Sequence, residues 1–174
     1  MVGKELLMKF LGCIPPQKFV TDLNLIRDMK YMLHEKKTSV LLYPEAGYSF
    51  DGRATCLPSG LGGFLKMLDC PVLMITTYGA FARDPLYNGL QNRKVKVTAD
   101  VKTLLTREQV GSLTPEELGA AVADAFSFDN FAWQYENRVR ITEPFRADGL
   151  HRILYKCPCC GEENRMEGKG IHLT

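Results

Sequence analysis

Two apolar runs, Val40-Leu41-Leu42-Tyr43 and Val72-Leu73-Met74-Ile75-Thr76-Thr77-Tyr78, are separated by a polar loop and one helix-length segment, and this constrains the fold more than any other feature. The first run breaks at Pro44-Glu45-Ala46-Gly47-Tyr48-Ser49-Phe50-Asp51-Gly52-Arg53, a stretch rich in turn formers. A second loop, Cys56 to Gly60, leads into Leu61-Gly62-Gly63-Phe64-Leu65-Lys66-Met67-Leu68, and Pro71 opens the second run. Buried strand, polar loop, short helix and buried strand form the unit that builds a parallel or mixed sheet. Such sheets place function in the loop leaving a strand's carboxyl end. Here that loop carries Glu45 between a proline and small residues that let backbone approach a ligand closely. Periodicity by itself prefers a plainer reading, a solvated turn glutamate.

The 174 residues allow one domain with a proper core and a small appendage. A net charge of +2 is too small to argue for nucleic acid and does not oppose an anionic membrane surface. No apolar run approaches the ~18 residues of a spanning helix, and the N-terminus lacks a cleavable signal pattern. Of six cysteines, three stand singly and three cluster near the end, a usage that fits buried thiols and a metal-type cluster in the cytoplasm.

From the N-terminus, Val2 to Leu11 has the spacing of a helix with Val2, Leu6, Leu7, Phe10 and Leu11 on one side, read as packed on the core. Pro15 and Pro16 bar a central regular element in the next stretch, where Lys18 reads by itself as a surface lysine. Thr21-Asp22 is a helix start, with Leu25, Ile26, Met29, Met32 and Leu33 at helical spacing behind it. His34 falls on the last turn of that helix, with no Asp or Glu at catalytic spacing. After the second apolar run, Arg83 and Asp84 are candidates to line a pocket, although an Asp-Pro turn is the simpler account. Arg93 to Val101 alternates as a half-exposed edge strand. Thr114-Pro115-Glu116-Glu117 is a capping box with proline at the first helical position. A further helix, Asp129 to Glu136, carries Trp133, which with Phe126, Phe128, Phe131 and Tyr135 reads as an aromatic cap.

Arg138 to Leu154 is basic and irregular, and is read as a linker. It delivers Cys157-Pro158-Cys159-Cys160-Gly161, in which Cys157 and Cys160 point to one centre and Gly161 permits the tight turn. Cys-x-x-Cys-Gly is half of a zinc ribbon. The rival, a redox pair, needs a sheet and helices after the motif, and fourteen residues follow Cys160. Tetrahedral zinc takes four ligands; His172 is the candidate third, and Cys159 is spare. The tail therefore reads as a zinc ribbon cut in its middle.

Tyr43-Pro44-Glu45 after an apolar strand, then a helix and Cys70-Pro71-Val72-Leu73-Met74, resembles the glycerolipid acyltransferase family, of the 1-acylglycerol-3-phosphate type. In that family a strand ends in Phe-Pro-Glu-Gly-Thr-Arg and a later strand begins with a Pro-Val pair. The span from Ile14 to Phe145 resembles a bacterial branch in which the usual tail is Pro-Glu-Ala-x-Tyr-Ser. Ala46 stands where the wider family has Gly, and Gly47 and Tyr48 where it has Thr-Arg. The family's phosphate-contacting arginine is thus not at its usual place, and Arg53 is its candidate substitute. The resemblance implies that Glu45 positions an acceptor while Lys18 and Arg53 neutralise its charge. The family's base is the His of a His-x-x-x-x-Asp motif. The histidines here, at 34, 151 and 172, have no Asp five positions on, so no catalytic residue is assigned.

The expected architecture is an α/β domain, residues 1–145, with a mixed sheet flanked by helices and without its N-terminal catalytic segment. Residues 146–174 would form a linker and the first half of a zinc ribbon. The implied activity is fatty acyl transfer from acyl-coenzyme A or acyl-carrier protein to a glycerol-phosphate or lysophospholipid hydroxyl. It implies partners at the inner membrane face, while the cysteine spacing of the tail predicts a structural zinc ion. The alternatives are a non-catalytic lipid-binding module, or a zinc-ribbon adaptor for protein or nucleic acid.

Overall fold

The computed structural model describes residues 6–8, 10–14, 22–45 and 47–174. Its elements in chain order are helix α1 (Leu23–Lys30), continued by a wider turn at Tyr31–Glu35, then α2 (Leu61–Leu68), strand β1 (Val72–Tyr78) and the short α3 (Ala80–Arg83). Strand β2 (Thr98–Leu105), α4 (Arg107–Ser112), α5 (Pro115–Phe126), α6 (Asn130–Glu136), β3 (Gly168–Lys169) and β4 (His172–Leu173) follow. The described residues thus combine helices with two small antiparallel sheets, β1 with β2 and β3 with β4.

The core lies where α2, α4 and α5 meet the end of β2. Leu61 and Leu65 of α2 pack with Leu105, Val110, Leu118 and Val122. Glycine makes this approach possible. A Cβ on Gly62 would stand 1.9 Å from the carbonyl oxygen of Pro115 and 2.7 Å from the amide of Gly119, so only a bare backbone lets α2 and α5 come this close. Helix α5 begins as its sequence dictates. Thr114 Oγ1 accepts from the amide of Glu117, and a Glu117 carboxylate oxygen accepts from the Thr114 amide and hydroxyl. Asp22 caps α1 in the same way, its side chain accepting from Leu25 N at 3.0 Å. Helix α4 carries a second capping box, Thr106 with Gln109, which the sequence reading passed over.

Several expectations are corrected. Val40 to Tyr43 forms no strand, and Leu41, Leu42 and Tyr43 are exposed. A strand needs a partner edge, and β1 takes its partner from β2, antiparallel, with Ile75 opposite Val101. No parallel pairing occurs among the described residues, so the mixed sheet is replaced by an antiparallel pair. The strand read over Arg93 to Val101 is displaced to Thr98–Leu105 and does not alternate, its residues being exposed up to Thr103, while the Arg93 end is drawn elsewhere: Arg93 is 6% exposed. Residues 6–8 and 10 are helical, but Leu6, Leu7 and Phe10 are exposed, so their apolar side is not packed on the core.

The stretch read as a linker is tied down from two sides over residues 145–151. Asn88 Nδ2 donates to the carbonyls of Phe145 (3.0 Å) and Asp148 (2.7 Å), and Arg93 donates to that of Arg146 (3.2 Å). On the other side, Ala147 N donates to Gly170 O and Gly149 N to Gly168 O, which seats the β3–β4 hairpin on the same segment. The Nδ1 of His151 accepts from Gly168 N at 2.9 Å. Buried polar groups need partners, and Asn88 and Arg93 find several of theirs in this one stretch. Among the described residues no helix is long and apolar enough to cross a membrane.

Candidate functional site

A cleft of about 300 Å3 runs beside β1, between Met74–Thr77 and the loop from Glu45 to Ala54. Its apolar side is Met74, Phe81, Leu86, Phe126 and Phe128; its polar groups include Glu45, Ser49, Arg53, Asp84 and Asn130. Strand β1 supplies Met74 to Thr77 to the lining, and β2 is its only partner strand among the described residues. Phe81 and Leu86 enter from the turns after β1, and Phe126 and Phe128 from the end of α5. The aromatic cap read from the sequence forms only in part: Trp133 and Phe128 gather on Tyr78, while Phe126 packs against the core cluster. The Tyr78 ring meets Phe128 edge-on at 5.6 Å and stacks on Trp133 at 6.1 Å. Phe131 instead meets Phe81 at 5.5 Å, and Tyr135 is exposed.

Glu45 is held. One of its carboxylate oxygens accepts from both the amide and the hydroxyl of Thr55, each at 2.8 Å. Those two bonds leave the second oxygen for other contacts. Arg53 pairs with Asp129, Nε to Oδ2 at 3.5 Å, and the same Asp129 caps α6 by accepting from Phe131 N and Ala132 N through its other oxygen. The loop is fastened beside that pair, where Gly52 O accepts from Asn130 N at 3.0 Å and from Asn130 Nδ2 at 2.6 Å. The backbone of Gly52 also presses against Phe81, since a Cβ there would lie 2.8 Å from the ring.

Two of the three predicted acceptor-site residues, Glu45 and Arg53, therefore line one cleft. The third, Lys18, lies outside the described residues. Asp84 lines the cleft as well, whereas Arg83 turns to Asn92, with Nε 3.4 Å from Oδ1. Sequence reasoning missed Asp129 and Asn130 as anchors of Arg53 and its loop. Asp-Asn before a helix signals a cap, but a cap carries no information about a loop some 80 residues earlier. None of the histidines is among the cleft residues. His34 Nε2 lies 2.8 Å from Leu68 O, at the other end of the α2–β1 connection.

At the tail, the knuckle is formed. Gly161 N donates to Cys157 O and Cys157 N to Glu162 O, both at 2.9 Å, and Lys156 bridges to Glu163. The Cys157 thiol is pushed below its ordinary range by the backbone N–H groups of Cys160 and Cys159, with a further contribution from the Cys160 side chain. A lowered thiol is the easier to present as a thiolate, the form in which cysteine binds a metal. His172 sits in β4 opposite Lys169. It does not join Cys157 and Cys160: among the described residues no three His, Cys, Asp or Glu side chains gather as a metal set.

No family model matches the chain, and comparison with curated proteins and with solved structures returns no significant match.

Proposed function

We propose that this chain is an acyltransferase-like domain whose cleft beside β1 holds the acceptor of a fatty acyl transfer in glycerolipid synthesis. One observation carries the reading: Glu45 and Arg53, singled out by the resemblance, line the same cleft as the apolar side chains of Met74, Phe81 and Phe126. An amphiphile with a phosphate head and an alkyl body meets a cation and an apolar surface there. Glu45, pre-oriented by Thr55, would accept a hydrogen bond from an acceptor hydroxyl. In the reaction that hydroxyl oxygen bonds to the thioester carbonyl carbon, its proton passes to a base, and the carrier's sulfur leaves as thiol. A positioned base is worth ~10²–10⁴-fold. No histidine lines the cleft, so acceptor binding is assigned to this chain and the base is not. The zinc ribbon reading of the tail belongs to the same proposal, with Cys157 and Cys160 as two structural ligands.

Calorimetry with lysophosphatidic acid and glycerol 3-phosphate tests acceptor binding, beside a thioester-release assay with acyl-coenzyme A and acyl-carrier protein. Arg53→Ala is expected to weaken lysophosphatidic acid about ten-fold, the effect of losing one charge-assisted contact of ~1.4 kcal/mol. Glu45→Gln should reduce binding or turnover with little loss of stability. Wild-type affinity retained in both variants would remove the cleft from the reading. The absence of a histidine from the cleft also favours a second reading, a lipid-binding module without catalysis. Binding without acceptor-dependent turnover would select it.

A further inference from the structure

We infer that the cleft beside β1 reads only the head and the first few carbons of its acceptor and leaves the rest of the alkyl chain outside, so that acceptors of different chain length bind alike. The inference rests on the acceptor reading of the cleft and adds the class of acceptor to it: a glycerol-phosphate head on an alkyl chain whose length is not selected.

Capacity comes first. The cleft holds about 300 Å3. An apolar protein cavity of ~150 Å3 takes one benzene, so twice that space takes about a dozen non-hydrogen atoms. Glycerol phosphate uses about ten of them, which leaves room for roughly two or three carbons. A long-chain lysophospholipid exceeds that capacity with its chain alone.

Openness is the second observation. Every described residue that lines the cleft keeps contact with solvent, and none is fully buried. Tyr48 and Ile75 belong to the lining, yet they are 73% and 51% exposed. An alkyl chain is stabilised in proportion to the area it removes from water. A tunnel for a whole chain would be walled by buried side chains, as the core around Val110 and Leu118 is. The apolar lining of Met74, Phe81, Phe126 and Phe128 is only half-buried, enough to cover the first carbons.

The third is a fixed shape. The Phe81 ring is held by Tyr87 at 6.0 Å, by Phe131 at 5.5 Å and by the backbone of Gly52, where a Cβ would stand 2.8 Å away. A ring packed in this way does not swing without displacing its neighbours. The loop is fastened as well, by Thr55 N donating to Glu45 at 2.8 Å and Asn130 N donating to Gly52 O at 3.0 Å. Glu45 and Arg53, which would fix the head, are themselves held by Thr55 and Asp129. Recognition is therefore concentrated at the polar end of the ligand.

The test is calorimetry on the full chain with 1-acylglycerol 3-phosphates from the butanoyl to the dodecanoyl ester, each below its critical micelle concentration. Glycerol 3-phosphate is the chainless member of the series. Expected is binding that tightens from glycerol 3-phosphate to the butanoyl ester and then changes by less than about ten-fold out to the dodecanoyl ester. Full burial of the chain would instead tighten binding about four-fold per methylene, on the order of 10⁴-fold across the esters. Arg53→Ala should weaken every member by the same factor, because the head occupies the cleft at each length. A rise of more than about ten-fold from butanoyl to dodecanoyl would overturn the inference and leave the acceptor reading standing. So would an Arg53→Ala loss that shrinks as the chain lengthens. No binding at any length, or binding that Arg53→Ala leaves untouched throughout, would overturn the acceptor reading and the inference with it.

Discussion

The guanidinium of Arg93 lies over the ring of Tyr87, 5.4 Å from the centroid, and donates to the hydroxyl of the same residue at 3.0 Å. The same nitrogen reaches Arg146 O, and the Tyr87 ring stands 6.0 Å from Phe81, which lines the cleft. One buried arginine therefore touches both the C-terminal segment and the aromatic group that shapes the candidate site. Arg93→Met removes the donors and keeps most of the side-chain volume. Hydrogen bonds from a charged group are worth ~1.5–3 kcal/mol, so a loss of about 2–3 kcal/mol in urea unfolding is expected. Limited proteolysis should then cut the 150–174 tail faster. The exposed Arg140→Met should stay within about 0.5 kcal/mol of the parent. Equal stability in the two variants would deny Arg93 its anchoring role.

Gly52 sits at φ +79° with its carbonyl bound by Asn130 and the Phe81 ring against its Cα. Gly52→Ala meets two penalties, a left-handed backbone and a Cβ 2.8 Å from that ring. A destabilisation of about 1–3 kcal/mol is expected. In a urea titration the midpoint should fall with the slope unchanged, because the surface exposed on unfolding is the same. Phe81→Leu in the same background should restore part of the loss by relieving the contact.

The Glu117 carboxyl is held below its ordinary value of 4.5 by hydrogen bonds from the Thr114 amide and hydroxyl. A carboxyl whose folded value is depressed stabilises the fold above its unfolded value, and that contribution is lost as pH falls through the folded one. Glu117→Gln keeps an acceptor for the cap but no titrating group. The unaltered chain should be the more stable above the ordinary value of 4.5, and the gap in Tm should close as pH falls from there through the depressed folded value. A gap that stays constant through this window would mean that the ionised carboxylate contributes nothing at the cap.

What the sequence determined by itself is what depends on neighbours a few residues apart. Thr114 and Glu117 cap α5 wherever the chain folds, Asp129 starts α6, and the knuckle at Cys157 closes on bonds spanning a handful of residues. The apolar run Val72 to Tyr78 is a strand with the bounds read for it, but half-buried and exposed residues alternate along it where the reading had a buried strand, and Leu73 and Ile75 are exposed. The tertiary structure alone decided what that strand pairs with. Val40 to Tyr43 is as apolar as β1, yet it stays exposed while Thr98–Leu105 takes the edge. Short apolar runs carry strand propensity without a partner's address, since β preference is mostly a measure of fit to neighbours. Arg93 illustrates the same limit. Lys94, Lys96 and Val95 around it have the alternation of an edge strand, but burial of its guanidinium against Tyr87 and Arg146 pulls the segment out of register. For the site, Glu45 was legible from its local motif. Its place in one cleft with Met74 and the Asp129-anchored Arg53 arises from contacts between distant parts of the chain, which local pattern does not encode.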